Sequence, residues 1–286
     1  MSLTNKDVIM AFIEDFKSMH RDDLQPDVVC DFDGDSAPLA QVVKIGDKPT
    51  LQFSYRFAQS TVNDHCDLFY CLIIAGHELA HWANAHTKHR DKDDLDSRAI
   101  EMWADFFGTR LVFTAVARCA NIAGIIQCFW TPVMDIEGSD GLLLSYGRAL
   151  RQVYDRVFVP ADESLGYPSP AERVHICTSG VGSFFYRNYG VLNEGRSRLV
   201  VQRVLLEPFK DVLGQFSESV DTQAFEDLAS RNIEIHLGLK QGQPLITPGI
   251  RPELSHLVGT HYLEHSDSSA HRDEMRDQVR SWGVDI

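Results

Sequence analysis

His77-Glu78-Leu79-Ala80-His81 stands in the order HExxH, and twenty residues after His81 comes Glu101-Met102-Trp103-Ala104-Asp105. On a helix, His77 and His81 lie one turn apart, about 6 Å along the axis and on one face. Two imidazoles so placed can converge on one cation at ligand distances of roughly 2.0–2.1 Å. Glu78 projects about 100° round from His77. It stands beside the cation rather than at it, where a carboxylate can take a proton from an attacking water.

A catalytic zinc needs a third protein ligand. Asn84 and Thr87 occupy the positions where the longer metzincin pattern has Gly and His. On a continuous helix His86 projects about 180° from His77, and His89 lies about 12 Å beyond His81. Glu101 is the better candidate, because the polar stretch 88–96 lets the chain reverse. Asp105, one turn after Glu101 on the same face, is placed to accept a hydrogen bond from the outer ring nitrogen of a ligating histidine. Arg173 is expected to tie a carboxylate near the site, with Asp105 as the partner to test. Imidazole and carboxylate donors at such a motif favour Zn2+ as the cofactor.

These side chains need particular elements. Leu68, Leu72, Ala75, Leu79, Trp82 and Ala83 recur at helical spacing. Tyr70, Ile73 and Ile74 make the histidine side apolar too, and a helix apolar nearly all round is usually buried. A second helix is expected over 97–116. Ahead of both, Val8, Phe12 and Phe16 share one face of a helix over 5–19 with Thr4 as its cap, a packing helix or a lid. VVCDF, QVVKI and TLQFSYRF read as three strands separated by turn signals. Residues 50–57 are the candidate edge for an extended substrate.

Further on, the aspartate run at 91–96 reads as a solvated connection. Residues 117–136 read as a core helix or a pocket wall, 138–141 as a turn and 142–158 as a helix. A loop over 160–170 leads into a helix opened by Ser169 or Pro170. Helices are expected over 199–216 and 222–229, a strand over 233–237, and a charged helix in HRDEMRDQVRSW at the end. The expected class is α+β: a predominantly helical, zincin-like chain with a small N-terminal sheet. Residues 1–190 would form the catalytic domain. Residues 191–286 would form a mostly helical extension or belong to the same domain, with the break near 189–196.

The HExxH and ExxAD pieces resemble the gluzincin metallopeptidases. Tyr167-Pro168-Ser169-Pro170-Ala171-Glu172-Arg173-Val174 resembles the HPxxxER[IV] element of two such groups, the membrane-bound CAAX-protease-like peptidases and the phage-exclusion peptidase Lit with its relatives. The short interval between His81 and Glu101, His86 five residues after HExxH, and the lack of a membrane span favour the Lit-like group. The matching pieces cover roughly residues 68–185. The resemblance implies His77, His81 and Glu101 as zinc ligands, Glu78 as general base, and Asp105 and Arg173 in support. It implies an endopeptidase acting on a protein or peptide substrate, in phage exclusion or defence, with room for an activating partner. The chain departs from the pattern at Tyr167, where the family has His. A tyrosine there can donate to a developing oxyanion or simply pack ahead of a helix.

Whole-chain properties narrow the classes. The 286 residues are 44% hydrophobic, enough for a substantial core. No run of about 18 apolar residues suggests a membrane span, and the first residues lack signal-peptide character. Six scattered cysteines without a CxxC read as reduced, buried thiols of a cytoplasmic protein. A formal net charge of −14 disfavours nucleic acid and anionic membrane as partners. One reading from another class stays open: a catalytically silent, zinc-stabilised binding or regulatory protein.

Overall fold

The computed structural model describes residues 2–34, 39–89, 93–129, 139–161, 166–191, 193–216, 222–239 and 249–259, with positions 277, 280 and 281. The fold is α+β, predominantly helical, with one three-stranded sheet.

Helix α1 (Asn5–Ser18) is closed by a capping box, the Thr4 side chain accepting from the Asp7 amide and the Asp7 carboxylate from the Thr4 amide. Its Val8, Phe12 and Phe16 are buried, as their spacing predicts. None of its residues lines the cleft described below, so α1 packs rather than acting as a lid. Its buried Asp15 accepts from the Asn121 and Ile122 amides and so caps the helix that begins at Ala120.

The sheet holds β1 (Val29–Asp31), β2 (Ala40–Ile45) and β3 (Lys48–Phe53) in the order β1-β3-β2. β1 runs parallel to β3 and β2 antiparallel to it. This corrects the expected edge. Residues 50–53 belong to the central strand, with 50–52 paired on both sides, so β2 is the edge strand at the cleft. Strand β3 also stops early, because Ser54 accepts from the Phe57 amide and starts the single-turn helix α2 (Tyr55–Ala58).

Helix α3 (His65–Ala83) carries the HExxH motif and is capped by Asp64. Leu68, Phe69, Leu72, Ala75 and Leu79 are buried in the main core. Helix α4 (Asp94–Arg118) carries Glu101 and Asp105. It begins earlier than its periodicity suggests, because Asp93 caps it by accepting from the Asp96 amide. Asp96 is fully buried and accepts from His89 Nε2 at 2.7 Å and from Arg231. In the described part of the aspartate run, Asp93 and Asp94 are exposed as expected of a solvated connection, but Asp93 caps the helix and Asp96 is a buried ion-pair anchor.

Helix α5 (Ala120–Cys128) follows, buried through Ile122 and Ile126; residues 130–136 of the expected core helix lie outside the described residues. Helix α6 (Ser139–Val153) includes positions 139–141, which were expected to turn. It passes into a π-helical stretch, Tyr154–Phe158. Helix α7 (Pro170–Tyr189) opens as its sequence predicts, with Ser169 as cap, Pro170 in the first turn and Glu172 completing a capping box. Helix α8 (Glu194–Val200) packs on α7, and α9 (Thr222–Leu239) packs on α4. The strand expected over 233–237 is the C-terminal part of α9. IEIHL alternates like a strand in isolation. Across the full length, however, Phe225, Leu228, Ala229, Asn232, Ile235, His236 and Leu239 recur at helical spacing toward α4. Residues 260–276, 278, 279 and 282–286, which include most of the expected terminal helix, lie outside the described residues.

Among the described residues no single helix is long and apolar enough to cross a membrane. The six cysteines are unpaired, but only Cys71 and Cys177 are buried, and Cys128 is exposed.

One contact sets the spacing of the two motif helices. A Cβ on Gly108 would lie 2.6 Å from the Gly76 carbonyl oxygen and 2.8 Å from the His77 nitrogen. Both are backbone atoms that cannot rotate aside. Gly76 and Gly108 thus let α3 and α4 touch backbone to backbone immediately beside His77. Gly108→Ala is expected to push the helices apart and cost about 1–3 kcal/mol by overpacking, more than alanine's helix propensity, about 1 kcal/mol, returns. Urea unfolding of wild type and variant measures this; equal midpoints would refute it.

Candidate metal centre

Three donors from two helices meet in one place. His77 and His81 come from successive turns of α3, and Glu101 from α4, the helix packed most extensively against it. His77 Nε2 lies 3.0 Å from His81 Nε2 and 3.1 Å from Glu101 Oε2, and His81 Nε2 lies 3.4 Å from Glu101 Oε1. Tetrahedral ligands at 2.0–2.1 Å from one ion are separated by roughly 3.3–3.4 Å. The donor triangle is therefore of the size a single small cation requires. The three donor atoms lie within 4.8 Å of one another. Glu101 Oε2 is buried and has no hydrogen bond of acceptable geometry despite its closeness to His77. Two imidazoles and one carboxylate with an orphaned oxygen fit a divalent metal ion, and the group can hold one.

The outer ring nitrogens are both engaged. His77 Nδ1 donates to Asp105 Oδ1 at 2.7 Å. Asp105 is held in turn by Arg173, whose Nε and Nη2 reach Oδ2 and Oδ1 at 2.7 and 3.0 Å. This is the carboxylate–histidine arrangement that orients a metal ligand, and it gives Asp105 and Arg173 their positions. The Arg173 guanidinium also lies over the Phe158 ring at 4.0 Å and the Tyr167 ring at 5.1 Å. His81 Nδ1 meets His86 Nδ1 at 2.8 Å.

The charges are mutually tuned. Burial opposes a charged His77, but Asp105 and Glu101 outweigh it and push its pKa up to about 10. The carboxylates thus call for positive charge at His77 Nε2, which a proton or a metal ion can supply. Burial would raise the Glu101 carboxyl, yet His81 and His77 hold it well below the usual range. Burial likewise opposes ionised Asp105, and Arg173 with His77 keeps it low. Glu78 is different: burial raises its carboxyl above the ordinary value, and the neighbouring histidines only partly offset this. Tyr167 is pushed up to about 12, first by the charge on Glu101 and then by burial, so its hydroxyl keeps its proton at neutral pH.

Two cavities meet over the triad and share Ala40, His77, Glu78 and Tyr167. One, of ≈ 370 Å³, is walled by Leu39, Ile73, Ile74, Val153, Val157 and Phe158. The other, of ≈ 320 Å³, is more polar and runs past His81, Glu101, His86 and Ser97, with Gln41 and Val42 of the edge strand along its side. The apolar wall comes from α3, the end of α6 with the stretch after it, and Leu39 ahead of β2; the described residues of 117–129 take no part in it.

Two residues of this neighbourhood escaped the sequence reading. His86 is set aside there because a continuous helix would carry it away from His77. The helix instead ends at Ala83, and Ala85 adopts a left-handed conformation (φ 56°) that folds His86 back onto His81. His236 of α9 lies 2.8 Å from His86, Nε2 to Nε2. The signal for His86 was a histidine just past the helix, in a stretch with no apolar period to carry the helix on. Nothing local marks His236, 150 residues away. No family model, no curated protein and no solved structure matches this chain.

Proposed function

We propose that the chain is a zinc-dependent endopeptidase that hydrolyses a peptide bond in a protein or peptide substrate. The observation that carries this reading is the convergence of His77, His81 and Glu101 on one point of a cleft, with Glu78 beside them and a strand edge alongside. His77, His81 and Glu101 would hold the metal, the two-histidine, one-glutamate set of a catalytic zinc. When bound, zinc supplies Lewis-acid polarisation of the scissile carbonyl and of water. Glu78 takes a proton from the attacking water and returns it to the leaving amine. Tyr167, protonated and lining both cavities, donates to the developing oxyanion. An extended substrate pairs with the outer edge of Ala40–Ile45, adding a strand to the sheet. An apolar side chain flanking the scissile bond enters the cavity walled by Ile73, Ile74 and Val157.

The likeness of the motif pieces to gluzincin peptidases, and among them to the Lit-like group, supports the same chemistry. It points to a role in phage exclusion or defence, with an activating partner, inside the cytoplasm. Elemental analysis of purified wild type and Glu101→Ala tests the core of the reading. About one zinc per wild-type chain is expected, with affinity in the variant reduced by more than about 100-fold, the upper range for an outer-sphere partner. Wild type that takes up no zinc after loading and desalting would sink it.

A further inference from the structure

Resting on the metal reading above, we propose that His86 and His236 are positioning residues, a row of imidazoles anchored at the Asn232 carbonyl that presents His81 Nε2 to the metal. The order of the protons follows from one end. His236 Nδ1 lies 2.7 Å from the Asn232 carbonyl oxygen, which can only accept, so Nδ1 carries the proton. In a neutral ring the other nitrogen is then an acceptor. His86 Nε2, 2.8 Å from His236 Nε2, must donate to it. That leaves His86 Nδ1 bare, and His81 Nδ1, 2.8 Å away, must donate to His86. His81 Nε2 is thereby left with its lone pair directed at His77 Nε2 and Glu101, where a metal ligand must have it. With His236 neutral, the Asn232 carbonyl sets the tautomers of all three rings.

The row is held rigidly. His86 is 5% exposed and His236 0%. Each ring meets the next edge to face, with centroids 4.9 and 5.0 Å apart, and Trp103 of α4 closes the far side at 5.3 Å from His236. Helix α9 is docked by Leu228 and Ile235, packed with Ala99, Ile100, Met102 and Ile176 in a small core of their own. Arg231 pins its other flank to Asp96, which also holds His89, three residues after His86. The two histidine ligands are thus oriented by different devices. His77 uses a carboxylate neutralised by Arg173. His81 uses neutral rings, which orient it without adding another negative charge beside Glu78, Glu101 and Asp105. The segment carrying α9 consequently completes the centre.

The test uses the whole 286-residue chain. Long-range 1H–15N correlation spectra of zinc-loaded wild type should show protons on His81 Nδ1, His86 Nε2 and His236 Nδ1. Zinc affinity, measured by competition with a chromophoric chelator, should fall about 10–100-fold in His236→Leu. It should return to within a few-fold of wild type in His236→Gln, whose amide oxygen can accept from His86. A folded His236→Leu with wild-type affinity overturns the proposal, and so does a wild-type spectrum with the His86 proton on Nδ1. The spectrum needs no variant, so a misfolded His236→Leu does not rescue the idea. Wild type that binds no zinc removes the metal reading itself, a result distinct from zinc-binding wild type with indifferent variants.

Discussion

Glu78→Gln should keep its zinc and lose about 10²–10⁴-fold in peptide hydrolysis, the usual contribution of a positioned general base. The substitution changes one atom's chemistry and almost none of its volume. Glu78 follows His77 on α3 but is not part of the donor triangle, so the metal should remain at about one per chain. It lines both cavities where they meet, within the space a scissile bond would occupy. Burial raises its carboxyl above the ordinary value, the direction that makes a carboxylate a better proton acceptor. The amide of glutamine does not accept the proton. The measurement pairs metal analysis with mass-spectrometric counting of new N-termini in a denatured protein mixture. Equal cleavage by Glu78→Gln would remove the assigned role. Wild type with bound zinc but no cleavage of any mixture, together with a Glu78→Gln protein that keeps full biological effect, would favour the silent binding protein.

Arg173→Leu is the second large effect, and it acts on the fold as much as on the site. Arg173 and Asp105 are 4% and 3% exposed and make a two-pronged contact. Removing the guanidinium leaves Asp105 buried with only His77 to balance it. Breaking a buried pair in this way typically costs about 3–5 kcal/mol. The loss also frees Asp105 to turn away from His77 Nδ1, so zinc affinity should fall about 10–100-fold. Adding Asp105→Asn to Arg173→Leu removes the stranded charge and should recover much of the stability while zinc affinity stays low. Denaturant unfolding and chelator competition on the two proteins separate these effects. A double variant no more stable than Arg173→Leu would show that the cost lies in lost packing over Phe158 and Tyr167 rather than in charge.

What the sequence by itself determined is whatever repeats within a turn or two of chain. His77 and His81 share a face because helices advance about 100° per residue, and the apolar period around them makes that helix. Glu101 and Asp105 share a face for the same reason, and Ser169, Pro170 and Glu172 write a helix start in side-chain hydrogen bonds. The three strands were legible from β-branched runs between turns, and the predominance of helix from apolar spacing. Which strand lies at the edge was not, because strand order is decided by pairing between segments, and residues 50–53 proved central. Residues 233–237 alternate like a strand but are helical, since the face they bury against α4 exists only once α4 is there. Gly76 and Gly108 carry no chemistry of their own, yet their contact sets how near Glu101 comes to the histidines. His86 and His236 became partners through a left-handed residue at 85 and the docking of α9. Short-range geometry follows from bond rotations along the chain. The closing of the site depends on which surfaces can approach, and only the packed molecule decides that.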